Sequence, residues 1–198
     1  DVRLDGLLLH GATIGGTAVS GINVLNLDLI NAKVTNNIIY DFDSSNTNSG
    51  SSVIGIDVNY PGTYYLYNNT LYGMQVTDGY VRGIAQGNAA RVYAKNNYCG
   101  NINSTNGAET CYYGTYEAGS THNVSSDATA DDGNLANGVI NATNYSSYFA
   151  NITAGGEDFH LKPTDTVLRN TGTSLSADAG YAFAVDVDGA GRVDGSWD

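Results

Sequence analysis

Positive charge is scarce in this chain. Eight Lys and Arg stand against 20 Asp and Glu in 198 residues, giving a net charge of −12 and a pI near 4.3. A nucleic-acid surface needs the opposite sign, because neutralising phosphates drives that binding; an anionic membrane surface is disfavoured on the same ground. Long apolar runs are absent, which argues against membrane insertion. There is no initiator Met and no basic segment leading into an apolar one, so Asp1 reads as the start of a processed or partial chain. Proline occurs twice, and only 14% of residues are charged. Polarity comes instead from 25 Gly and roughly 23 Asn, with Ser and Thr, beside 15 Tyr. A chain so rich in Tyr is not a disordered one, and Asn, Gly, Thr and Val are poor helix formers, which excludes a helical bundle.

Cysteine is equally sparse. Cys99 and Cys111 flank a polar stretch and suit a disulfide that ties off one loop; the alternative is a pair of buried free thiols. His10, His122 and His160 are scattered, so no zinc spacing exists. Glycosylation sequons begin at Asn68, Asn103, Asn123, Asn141, Asn144 and Asn151. With the cysteine pair and the low charge, they lead us to expect an extracellular or cell-surface protein.

The strongest signal is a repeat. Asn-Asn pairs recur at Asn36-Asn37, Asn68-Asn69 and Asn96-Asn97, with a weaker echo at His122-Asn123. Upstream lie Gly21-Ile22, Gly55-Ile56 and Gly83-Ile84, and the two markers step together. Around each pair, alternation places Ala32, Val34 and Ile39, then Tyr64, Leu66 and Leu71, then Val92, Ala94 and Cys99 on an inward face. Lys33, Thr35, Tyr65, Tyr67, Tyr93 and Lys95 fall outward. The inward phase survives the Asn pair only if that pair turns a corner, which Asn does well because it tolerates left-handed backbone. Short strands, tight corners and no helix in a unit of this size describe one coil of a solenoid, whose inward face is buried only by stacking on neighbouring coils. Stacked Asn36, Asn37, Asn68, Asn69, Asn96 and Asn97 would then form an amide ladder.

The Gly-Ile…Asn-Asn-x-Ile/Leu units resemble those of right-handed parallel β-helix proteins of the pectate-lyase-like superfamily, and Leu4-Asp-Gly-Leu-Leu-Leu-His-Gly11 resembles an earlier coil. Asp158-Phe-His-Leu-Lys-Pro163, Asp186-Val-Asp-Gly-Ala-Gly-Arg192 and Gly195-Ser-Trp-Asp198 resemble the C-terminal end of secreted bacterial β-helix repeat proteins. The resemblance implies an all-β, right-handed parallel β-helix of about five coils, a single domain over 1–198, with an irregular excursion near 125–154 before the chain rejoins the stack near Phe159.

Relatives of this kind often cleave polysaccharides, lyases with carboxylate-bound Ca²⁺ and hydrolases with clustered Asp. Candidates here are thin, Asp41, Asp43, Asp57 and Arg82 or Arg91, and they read as solvated turn residues rather than catalysts. Asp186-x-Asp188-Gly, with Asp194, is a candidate Ca²⁺ turn that lacks the remaining ligands of an EF-hand loop. Tyr65, Tyr67, Tyr93 and Tyr98 form a candidate surface for glycan or protein contact. The reading is a non-catalytic extracellular structural or adhesive β-helix, a subunit of a surface filament, sheath or adhesin shaft that self-associates end to end and needs no cofactor. The alternative is a polysaccharide-binding or polysaccharide-cleaving β-helix.

Overall fold

The computed structural model describes residues 2–11, 13–15, 17–24, 31–48, 50–87 and 90–192. Its strands wind as coils of four. The first coil holds β1 (Val2–Asp5), β2 (Leu8–His10), β3 (Thr13–Ile14) and β4 (Ala18–Val24). The second holds β5 (Asn31–Thr35), β6 (Ile38–Tyr40), β7 (Asp43–Ser44) and β8 (Ser52–Val58). The third holds β9 (Gly62–Tyr67), β10 (Thr70–Tyr72), β11 (Gln75–Val76) and β12 (Tyr80–Gln86). The fourth holds β13 (Ala90–Lys95), β14 (Tyr98–Gly100), β15 (Asn103–Ser104) and β16 (Ala108–Tyr113). Equivalent strands pair in parallel, so the coils stack into four walls: β1-β5-β9-β13, β2-β6-β10-β14, β3-β7-β11-β15 and β4-β8-β12-β16. The expected parallel β-solenoid is therefore present, with four complete coils.

Every inward residue read from the alternation lies in one continuous buried core, from Ala32 and Val34 to Ala94 and Cys99. The glycines of the repeat have a packing role. A Cβ on Gly21 would stand 2.6 Å from Ile39, one on Gly55 2.2 Å from Leu71 and one on Gly83 2.4 Å from Cys99 Sγ. Each Gly leaves room for a side chain of the next coil. In the fourth coil Cys111 follows Gly83 in this column, and the facing position, in register with Cys99, is the small Ser125. Cys99 and Cys111 are both buried and free. The expected loop-closing disulfide is not formed here; both thiols face the lumen, and Cys111 Sγ donates to the Cys99 carbonyl at 3.1 Å. Burial pushes the Cys99 thiol well up.

Asn36, Asn68, Asn96 and His122 turn the first corner at φ of 54°, 55°, 54° and 55°. The ladder is the next column. Asn37 Nδ2 donates to Asn69 Oδ1, Asn69 Nδ2 to Asn97 Oδ1 and Asn97 Nδ2 to Asn123 Oδ1, each at 2.9 Å. The same oxygens accept the backbone N–H of Asn37, Asn69 and Asn97, and each amide also donates to a carbonyl of the previous coil. These buried amides are fully paired, as burial demands.

The stretch near 125–154 differs from the expected surface excursion. After β17 (Val124–Ser125), which extends the second wall, the chain makes shortened rungs through the bridges Thr121–Ala136 and Val124–Val139. Ala130 and Leu135 enter the main core, so this stretch caps the stack. A single helical turn, α1 (Tyr145–Tyr148), leads into the antiparallel pair β18 (Phe149–Asn151) and β19 (Asp158–Leu161). Phe159 does not rejoin the stack. It packs with Phe149 on the outer aromatic face of the second wall, against Tyr40 and Tyr72. Among the described residues no helix is long and apolar enough to cross a membrane.

Candidate functional site

Folding of the 149–192 segment back over the first corner encloses a groove of about 830 Å³. It is lined by the corner column Asn36, Asn68 and Asn96 with Ile38 and Thr70, by Phe159 and Leu161, and by Thr171, Gly172 and Val187. The corner amides line it because their left-handed backbone points their side chains away from the lumen, whereas the ladder amides point in. Among the described residues, Asn68 Oδ1 and Tyr98 Oη, both of lining residues, are buried without a hydrogen-bond partner. The broken outer column explains the first. Asn68 Nδ2 reaches Asn36 Oδ1 at 3.4 Å, but Asn96 Nδ2 donates to the Thr173 carbonyl at 2.8 Å instead of to Asn68.

The groove lining is acidic on balance, with Glu157, Asp158, Asp186 and Asp188 against Arg169 and Arg192, and His160 among the carboxylates. His160 Nδ1 lies 2.5 Å from Asp158 and Nε2 2.7 Å from Asp188, so one ring joins β19 to the turn that carries Asp188. Hydrogen bonds to Asp188 and Asp158 raise the His160 pKa, while the His160 backbone and ring hold Asp158 below the usual carboxylate range. Asp41 and Glu157 are hydrogen-bonded carboxyls; burial and this neighbour raise the Asp41 pKa, and His10 Nε2 lies 3.7 Å from Asp41. Sequence reading missed Glu157, His10 and His160 as partners, since 116 residues separate Asp41 from Glu157 (157 − 41) and no spacing links them.

Asp41, Asp43, Asp57 and Arg82 do not converge. Asp41 sits at a corner after β6, at φ 56°, and Asp43 opens β7 in the third wall. Asp57 and Arg82 occupy the fourth wall. Burial raises the Asp57 pKa against the pull of Arg82, and Asn59 donates to the Asp57 carboxylate. The Arg82 guanidinium lies over the Tyr113 and Tyr80 rings, at 3.3 and 4.2 Å.

Asp186 Oδ1 accepts the N–H groups of Asp188 and Ala190, a turn closed on itself. Asp194 lies outside the described residues. Among the described residues no group of three His, Cys, Asp or Glu is arranged to hold a metal.

The tyrosine surface is largely covered. Tyr67 and Tyr98 are buried; Tyr65 stacks on Tyr93 at 5.4 Å and is partly exposed. Two sequons fail sterically, because Asn123 is the fully buried last member of the ladder and Asn68 is buried in the groove. Asn103, Asn141, Asn144 and Asn151 are on the surface.

Comparison of the chain with family models, curated proteins and solved structures finds no match. The fold shown is a parallel β-solenoid, and membership of the pectate-lyase-like superfamily, expected from the repeat, has no support in these comparisons.

Proposed function

We propose that this chain is a non-catalytic, extracellular adhesive solenoid of a surface assembly that binds a neutral glycan in the first-corner groove. The observation that carries the reading is the pairing, in one bounded groove of about 830 Å³, of an amide and hydroxyl column with an aromatic and aliphatic side. Sugars offer both faces at once: hydroxyls for amides, and C–H surfaces for rings and aliphatic groups. Asn68, whose Oδ1 has no partner among the described residues, stands in that column. Four lining carboxylates outnumber Arg169 and Arg192, and with a net charge of −12 they disfavour uronate-rich polymers, which narrows the ligand to neutral ones. Binding without cleavage agrees with the separation of Asp41 and Asp43 from Asp57 and Arg82, which share the fourth wall. The ladder-stacked coils supply a rigid support, and the surface sequons suit an extracellular setting.

The test is titration calorimetry against neutral and acidic oligosaccharides, with turnover followed in parallel. Neutral ligands are expected to bind, and Asn68→Gly, which keeps the corner backbone while deleting the amide, is expected to weaken binding by about tenfold. Binding unaffected by Asn68→Gly, a preference for acidic polymers, or release of reducing ends would each overturn the proposal.

A further inference from the structure

The first wall presents Tyr65, Tyr67, Tyr93 and Lys95 outward, with Asn96 at its corner, and this surface is occupied by the chain's own residues 173–183. The match is residue by residue. Asn96 exchanges two hydrogen bonds of 2.8 Å with the backbone of Thr173. Leu175 is fully buried beside Tyr67. Asp178 accepts from Lys95 Nζ and from Tyr67 Oη, the latter at 3.1 Å, and the side chains of both Lys95 and Asp178 are mostly buried. Burial alone would raise the Asp178 pKa, but the Lys95 ammonium and the N–H groups of Tyr181 and Gly180 hold it below the usual range. Gly180 lies so close to Tyr65 that a Cβ would stand 2.3 Å from the ring, and Phe183 stacks over Tyr67.

The occupant is held through side chains of the wall, Arg3 and Lys33 also lying over the Tyr181 ring at 5.4 and 5.0 Å. Residues 173–183 have no strand or helix, and among the described residues no backbone–backbone hydrogen bond joins them to the wall. Leu175 is their one fully buried side chain. Departure has a compensation in place: Asn96 Nδ2, freed from Thr173, lies one coil from the unpartnered Asn68 Oδ1, the step that the inner ladder bridges at 2.9 Å. A pivot is present as well. Leu168 is anchored in the aromatic group of Tyr98 and Val124, and the next residues include Asn170 at φ 59° and Gly172. Segments held by few buried apolar contacts are the ones that open below the global unfolding free energy.

We infer that this wall is a peptide-recognition surface whose second occupant is the same segment of another copy of the chain, exchanged between two molecules by opening at residues 170–172. The inference goes beyond glycan binding and stands without it. A symmetric exchange satisfies both walls with the contacts already seen within one molecule.

Charge reversal tests this. Lys95→Asp places two carboxylates together within one chain, and Asp178→Lys places two ammonium groups together; in a 1:1 mixture only exchange between the two variants restores opposite charges, at both walls. Each variant alone is expected to be monomeric by light scattering, with its C-terminal segment opened to protease. The mixture is expected to give a protease-resistant dimer at about tenfold or more the level of either variant alone. A mixture that stays monomeric, with the segment loose or closed, overturns the inference. Should either variant fail to fold, the wild-type chain is titrated with a synthetic peptide of residues 171–184. Saturable binding that exposes the chain's own segment to protease supports the inference, and absence of binding overturns it.

Discussion

The two asparagines of each pair are neighbours in sequence and opposites in the fold. Asn37, Asn69 and Asn97 lie inside, every polar atom of the amide paired with the coils on either side. Asn36, Asn68 and Asn96 lie outside, held in left-handed backbone, with a column that is stretched at one step and broken at the next. The contrast extends to the regions they belong to. The inner column serves a stack in which each coil repeats the contacts of the last. The outer column meets a C-terminal segment that repeats nothing and takes Asn96 for itself. A buried amide gains most when its partner is another element of the same repeat; one at the boundary is shared between two claims, and there the groove and the removable segment arise.

Substitutions sharpen this comparison. The largest effect belongs to Asn69→Ala, which strips partners from the Asn37 amide and backbone N–H, from Asn97 Oδ1 and from the Val34 carbonyl. With about 1–3 kcal/mol for each buried group left unpaired and partial relaxation, a loss of about 4 kcal/mol is expected in denaturant unfolding, or about 10 °C in Tm. Asn68→Gly should change stability by no more than about 1 kcal/mol, because its amide holds one long hydrogen bond and glycine relieves the positive φ. Equal losses at 68 and 69 would erase the distinction.

Next in size is Gly55→Ala, whose Cβ would collide with Leu71 and stand 2.8 Å from the Gly83 carbonyl; a cost of about 2 kcal/mol is expected. Adding Leu71→Ala should cost less on that background than in the wild type, a coupling read by a double-mutant cycle. Strict additivity would refute the size complementarity of the Gly column. Asp178→Asn should act locally. Amide exchange and proteolysis within 173–183 are expected to rise by about tenfold or more while the coils keep their protection.

The smallest effect concerns pH. His160 is raised by its two carboxylates, so its contribution is fully present below the unfolded pKa near 6.5 and is lost as pH rises through the folded value. The ring is largely exposed, so that contribution stays below about 1 kcal/mol and weakens with salt. An NMR titration placing His160 at or below the unfolded value would remove it.

The stack was readable because its signals are local and recur: Gly21, Gly55 and Gly83 step with the Asn pairs, and alternation sorted Leu66 inward and Tyr65 outward. The ladder was readable as a ladder, but composition makes Asn68 and Asn69 equivalent; only the corner geometry decides which is buried. Of the two readings of the cysteine pair, a spacing of 12 residues (111 − 99) favoured a loop bridge, whereas both are free buried thiols whose place in the lumen is set across coils, Cys111 following Gly83. The cap at Ala130 and Leu135, the Asp41–Glu157 pair and the cover over Tyr67 all depend on contacts between non-repeating segments. No period marks such contacts, so the groove itself was invisible in the sequence.

Native-state hydrogen exchange resolved by residue tests the division of the molecule most directly. The amide N–H groups of β5, β9 and β13 and the side-chain amides of Asn37, Asn69 and Asn97 are expected to exchange only by global unfolding, while residues 173–183 open at far lower free energy. Exchange of the C-terminal segment and the coils at one common free energy would contradict it.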